Sequence, residues 1–191
     1  MSSQNTLLTS HKGVDLHAAS AVGVMRDRLE GGERLASLHR CEMHTWRQGV
    51  TGVSLSRVLD TGRYFNPNKH HYGYFVLEDA PPWDDPRGGD LPAAWPGALE
   101  STDVGELAAD GAALYTTLLG GPVPEGHHAV DVASWSQDQD GAVVSGVLWR
   151  LVVAGNAAEA ARVGEGLAVA RSRKQGLLIN PHMEAWLSLV R

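Results

Sequence analysis

Apolar residues recur along the chain with two different periods. Val14, Ala18, Ala21, Val22, Met25 and Leu29 fall at three- and four-residue steps, which puts them on one side of a helix. Gly31-Gly32 ends that helix. Residues 1–12 before it are polar and predict a flexible arm. Two strand-like stretches follow. Val53, Leu55, Arg57 and Leu59 alternate with Ser54, Ser56 and Val58. His71 to Leu77 is aromatic and β-branched enough for a strand buried on both faces. The turn-rich segment between them, Asp60 to Asn68, predicts a hairpin with a long loop.

Residues 79–102 carry Pro81, Pro82, Pro86, Pro92 and Pro96 with Gly88-Gly89, which predicts a long irregular loop. Asp103 with Glu106 three residues on reads as a variant capping box. The helix it opens has Leu107, Leu114 and Leu118 on its apolar face and stops at Gly120-Gly121. Residues 128–135 and 142–154 alternate as strands, with Asp140-Gly141 as the turn. Asn156 and Glu159 cap a second helix that runs to about residue 175. Asn180-Pro181 breaks the chain, and Met183 to Val190 alternates as a last strand.

From residue 71 the order is β-α-β-β-α-β. The expectation is one α+β domain over 1–191, with a ferredoxin-like βαββαβ sandwich at about 71–191. An N-terminal helix and at least one extra strand precede it. No internal repeat of fixed period is visible.

Composition narrows the function classes. The 191 residues carry 16 Lys+Arg against 22 Asp+Glu, a formal charge of −6. That balance makes nucleic acid an unlikely partner, because affinity for phosphates rests on a basic footprint. One cysteine, Cys41, forbids an internal disulfide and points to a reducing compartment. No apolar run is long enough to cross a bilayer, and Met1 to Thr9 shows no signal-peptide pattern. A cytoplasmic protein, or one assembled into a virion, is expected.

The segment Gly176-Leu177-Leu178-Ile179-Asn180-Pro181-His182-Met183-Glu184-Ala185-Trp186 resembles the small subunit of phosphoribosylformylglycinamidine synthase. The match is a leucine-rich helix end, then Asn-Pro, two residues, Glu, one residue and an aromatic. The resemblance implies a ferredoxin-like, non-catalytic subunit that assembles with itself and bridges catalytic partners. Leu59-Asp60-Thr61-Gly62 is the nearest counterpart to that family's Leu-Asp-Pro-x-Gly segment, and it lacks the proline.

Nine histidines supply the candidate chemistry. His39, Cys41 and His44 form a His-x-Cys-x-x-His cluster whose donors suit zinc. In a strand His39 and Cys41 share a face; in a helix Cys41 and His44 do. Neither geometry gives three ligands from this segment alone, and a half-buried Cys with two surface histidines is the plain alternative. His70-His71 and His127-His128 each open a strand. In a ferredoxin-like sheet one strand separates them, about 10 Å between backbones. No nucleophile elbow or phosphate loop is present.

Two readings follow. The first is a non-catalytic assembly subunit without a cofactor, such as a bridging component or a phage connector. It would contact copies of itself and other subunits through Trp83, Trp95 and the polar tip Asn66, Asn68 and Lys69. The alternative is a small metal-dependent enzyme, with zinc held by the Cys and His residues named above.

Overall fold

Strict alternation with both sides apolar makes the central strands. In the 127–136 segment Val130 and Val132 point one way and Ala129, Ala133 and Trp135 the other, and all are buried. The computed structural model describes residues 3–47, 54–78, 83, 87–105, 110–137 and 141–191. Among the described residues eight strands form one sheet. They are β1 (Gln4–His11), β2 (Leu35–Trp46), β3 (His70–Leu77), β4 (Arg87–Asp90), β5 (Ala98–Thr102), β6 (His127–Ser136), β7 (Val143–Ala154) and β8 (Glu184–Val190). The α-helices among these residues are α1 (Leu16–Arg28), α2 (Leu55–Asp60), α3 (Gly111–Leu118) and α4 (Ala157–Ala168).

The strand order is β4-β8-β6-β7-β2-β1-β3-β5. Every neighbouring pair is antiparallel except β4 with β8. The order divides into two halves with one plan. In each half the first strand lies in the middle, β1 or β6. The second strand pairs along one side of it, β2 or β7. A helix, α2 or α4, then leads to the third strand on the other side, β3 or β8. The halves join along β2 and β7, in register from Ser37↔Val152 to Trp46↔Val143, with a bulge between Leu35 and Ser37.

Two layers cover the sheet. On one face, Ala18 and Met25 of α1 and Ala160, Val163 and Leu167 of α4 pack on Leu38, Val130, Val132, Leu151 and Val153. Val58 of α2 packs on the same side against Leu7, Trp46 and Tyr74, since Leu38 and Trp46 point the same way along β2. On the other face, Leu114, Tyr115 and Leu118 of α3 join Trp83, Leu91 and Trp95 over Leu8, Met43, Phe75 and Leu148. Gly164 lets α4 sit close to β6, because a Cβ there would lie 2.8 Å from the Val130 side chain.

The α+β class holds, and several finer expectations change. A ferredoxin-like sheet would set β3 among the C-terminal strands. Instead β3 pairs with β1 and β5, and β7, β2 and β1 separate it from β6. Residues 4–11 are no arm but the middle strand of a half, with Leu7 and Leu8 buried on opposite faces. Residues 55–60 are helical rather than extended. Leu55, Val58 and Leu59 fall at helical steps and all pack into the cluster over β1. Residue 53 lies outside the described residues.

The proline-rich segment 79–102 contains two strands, the short edges β4 and β5. Asp103 opens no helix. Its carboxylate accepts from the Tyr72 amide at 2.7 Å, and α3 starts later, capped by Asp110. Glu106 and Leu107 lie outside the described residues. The Asn156–Glu159 capping box is present, but α4 ends at Ala168, where a bridge from Val169 to Ile179 takes over.

A candidate binding cleft between two diverging strands

The two halves differ at one place. β6 and β7 stay paired from His127↔Ala154 to Trp135↔Gly146. β1 and β2 pair only from Asn5↔Trp46 to Thr9↔Glu42. Beyond that point Ser10 and His11 continue against β3 alone, and Leu35 to Cys41 continue against β7 alone. The cause lies in the connections. Only residues 137–142 separate β6 from β7, whereas α1 and the 3₁₀ turn Gly32–Arg34 are inserted between β1 and β2. The strands splay to admit them, leaving a cavity of about 360 Å³ in the sheet itself.

The N-terminus of α1 forms one wall, through Val14, Asp15, Ala18 and Ala19. Asp15 caps the helix by accepting from the His17 and Ala18 amides at 2.9 and 3.2 Å. Its other oxygen meets Arg40 at 3.3 Å, and Arg40 also reaches Glu42 at 3.4 Å. Burial works against the Asp15 charge, but the Ala18 amide, Arg40 and the His17 amide outweigh it. They hold the carboxyl below its ordinary value. At the far end of α1, Arg26 donates to the Leu35 and Ala36 carbonyls, fixing the helix to β2.

The opposite wall comes from Thr117, Leu118 and Gly120 at the end of α3. The His39 ring rests on Gly120, where an added Cβ would come within 2.1 Å of it. Burial, then the nearby Arg150 charge, lowers the His39 pKa, so its imidazole is neutral at neutral pH. His71 lies at the rim with Nδ1 3.1 Å from Asp103 Oδ2, and Lys12 approaches the same oxygen at 3.9 Å.

The histidine groupings expected for a metal do not assemble. Because β2 is a strand, His39 and Cys41 share a face and His44 points to the other. His44 bonds Ser145 Oγ at 2.9 Å and packs edge-on to Tyr64. Cys41 is buried, donates to the Leu118 carbonyl at 3.5 Å, and burial pushes its thiol pKa up. The pairs His70-His71 and His127-His128 open parallel strands, but four strand steps apart, about 19 Å rather than about 10 Å. Among the described residues no group of three or more His, Cys, Asp or Glu is placed to hold a metal ion.

Trp83 and Trp95, expected as partner contacts, are placed inside the chain's own core. Both are buried, Trp83 edge-on to Trp135 at 4.9 Å and Trp95 edge-on to Tyr115 at 6.1 Å. The tip Asn66, Asn68 and Lys69 is a turn held from outside by Lys12, whose Nζ donates to the Pro67 carbonyl and whose amide donates to the Lys69 carbonyl. Asn66 Oδ1 accepts from the Asn68 amide and the Asn66 carbonyl accepts from the Lys69 and His70 amides, leaving Asn68 and Lys69 exposed.

A second polar cluster lies under α3. The buried Asp131 carboxylate accepts from Arg150 Nε and Nη2 at 2.7 and 2.9 Å, from Tyr115 Oη at 2.7 Å and from Arg191 Nε at 3.0 Å. Both guanidinium groups stand over the Tyr115 ring, at 5.0 and 4.9 Å. Burial opposes the Arg150 charge, but hydrogen bonding and attraction to Asp131 outweigh it and raise its pKa. Burial, then the Asp131 charge, pushes the Tyr115 phenol well up. One carboxylate thus gathers two guanidinium groups and a phenol, and the cluster ties β6, β7 and α3 together.

No family model, curated protein or solved structure matches the chain. Among the described residues no helix is long and apolar enough to cross a membrane.

Three of the histidines give the protein a pH dependence. His39, His44 and His70 all have pKa values lowered from 6.5, in each case first by burial. Below 6.5 the unfolded chain takes up protons that the folded chain refuses, so stability falls as pH drops through that value. Urea unfolding is expected to show a lower midpoint at about pH 5.5 than at about pH 7.5. The H39Q/H44Q/H70Q variant should lose most of that difference. Equal midpoints for the parent chain at the two pH values would contradict the burial of these rings. Asp15, shifted below 3.8, acts only in more acidic solution.

Proposed function

We propose that the chain is a non-catalytic structural subunit that associates with copies of itself within a larger assembly. The observation that carries this reading is the outer face of α1. Leu16 is 73% exposed and Val24 45%, with Val14 just ahead of the helix at 78%. Leu16, Ser20 and Val24 follow at four-residue steps, and Ala19 and Gly23 lie beside them, all exposed. A helix that already buries Ala18 and Met25 inward has no folding reason to carry large apolar side chains on its outer face as well. Exposed apolar side chains grouped on one face in this way mark interaction sites.

The face suits a second copy of itself. Its larger apolar side chains stand at the two ends, and the small Ala19, Ser20 and Gly23 lie between them. An antiparallel copy would set Leu16 of one chain against Val24 of the other, with Ser20 at the axis. Small residues there let the helices approach, and the two Ser20 hydroxyls would face each other as donor and acceptor.

Native mass spectrometry and sedimentation of the full-length chain test it. The expected result is an oligomer that the L16E/V24E variant converts to a monomer with the circular dichroism spectrum of the parent, since both side chains lie on the outer face of α1. A parent chain that stays monomeric at ~100 µM overturns the role. An oligomer indifferent to the double substitution removes α1 as the contact. A stoichiometric metal ion in the same spectrum would favour the enzymatic alternative.

A further inference from the structure

We propose that the cleft between the diverging ends of β1 and β2 binds a small, uncharged, planar heterocycle, of the chemical class of a nucleobase or nucleoside. Three properties of the cleft select that class.

The first is charge. The two charged side chains that line the cavity, Asp15 and Arg40, are paired with each other at 3.3 Å, and Glu42 on the same guanidinium leaves an excess of negative charge beside it. An anion would be repelled there, and any ion would have to break the Asp15–Arg40 pair, so a neutral ligand is favoured.

The second is the pattern of hydrogen-bonding groups. Ser10 and His11 on one side, and Leu38 to Arg40 on the other, lie on strand edges that face the cavity with no strand between them. Strand edges present alternating backbone donors and acceptors. A ligand lying in the plane of the sheet needs the same alternation along its own rim, which is the property of a nucleobase edge.

The third is shape. Ala18, Ala19 and Leu38 bound the cavity on the α1 side, and Leu118 and Gly120 bound it on the α3 side. These side chains are small or apolar and suit the two faces of a flat ring, and Asp15, Arg40 and Thr117 stand beside them as polar groups of the same walls. The volume of about 360 Å³ is sufficient for a nucleoside.

Leu16 and Val24 do not line the cavity. Ligand binding is therefore measurable in the L16E/V24E chain, and the outcome does not hinge on self-association. The probes are adenosine, guanosine, cytidine and uridine, each titrated to ~1 mM into the ¹⁵N-labelled full-length chain. At least one is expected to shift the amide signals of Ser10, His11, His39 and Thr117 saturably. The T117W substitution places an indole at the mouth of the cleft from an exposed position, so it should weaken binding about tenfold or more with the melting temperature unchanged. H39A, which removes the ring lying on Gly120, should weaken it as well. Adenosine monophosphate should bind no tighter than adenosine. Absence of saturable shifts with all four nucleosides, or binding that T117W leaves intact, overturns the site. Monophosphate binding tenfold tighter than the nucleoside overturns the claim of an uncharged ligand.

Discussion

Asp131→Ala is expected to lower stability by roughly 3–5 kcal/mol, the loss associated with removing one partner of a buried ion pair. The carboxylate is wholly buried and receives hydrogen bonds from Arg150, Tyr115 and Arg191. Without it Arg150, itself buried, keeps its charge with no counter-ion, and two guanidinium groups are left facing one phenol ring. Most of the loss is the penalty of the stranded charge rather than the worth of the bonds. The D131A/R150M double variant should therefore be more stable than D131A alone. Urea unfolding of the two single variants and the double variant gives the coupling directly. A D131A cost below about 1 kcal/mol would mean that the cluster is solvated in solution.

The next largest effect is expected at Trp95. It is 1% exposed and the largest of the most deeply buried side chains. It fills the space between the segment after β4 and Tyr115 of α3. Trp95→Ala should cost about 3–5 kcal/mol through the lost burial and the cavity left behind. Its oligomeric state, measured where the variant is still folded, should match the parent. A stable W95A chain with altered self-association would restore Trp95 as a contact residue and displace α1.

The sequence showed most where period and burial coincide. The alternation of β6 and β7 is regular on both faces, and the Asn156 capping box is a local signal that needs no tertiary help. It failed where polar residues are buried inside the sheet. Thr6 lies inside β1, its hydroxyl 3.0 Å from that of Thr45 across the strand pair, and Gln4 and Thr9 are buried there too. A strand so polar reads as an arm until its neighbours are known. The topology was hidden for a related reason. Alternation says that a segment is a strand but not which strand lies beside it, and the duplicated plan has no counterpart in residue identity.

Of the cleft, His39 and His71 were visible as unusual residues. Ser10, His11 and Asp15 were not singled out, although Asp15 directly precedes the apolar period of α1, as a capping residue does. What makes these residues a site is the point at which two strands part, and no local pattern encodes that. Cys41, offered as a zinc donor, is fully buried with its thiol donating to the Leu118 carbonyl, a placement that depends on α3 and not on its neighbours in sequence.

The way the two halves meet also bears on solubility. β2 and β7 are twelve residues each, the longest strands among the described residues, and each would be the open edge of its half if the other were absent. Long apolar open edges are templates for runaway aggregation. Joined to each other, both disappear into the middle of the sheet. The outermost positions fall instead to β4 and β5, four and five residues long and drawn from a segment rich in proline and glycine. Each half thus acts as an intramolecular chaperone for the stickiest strand of the other.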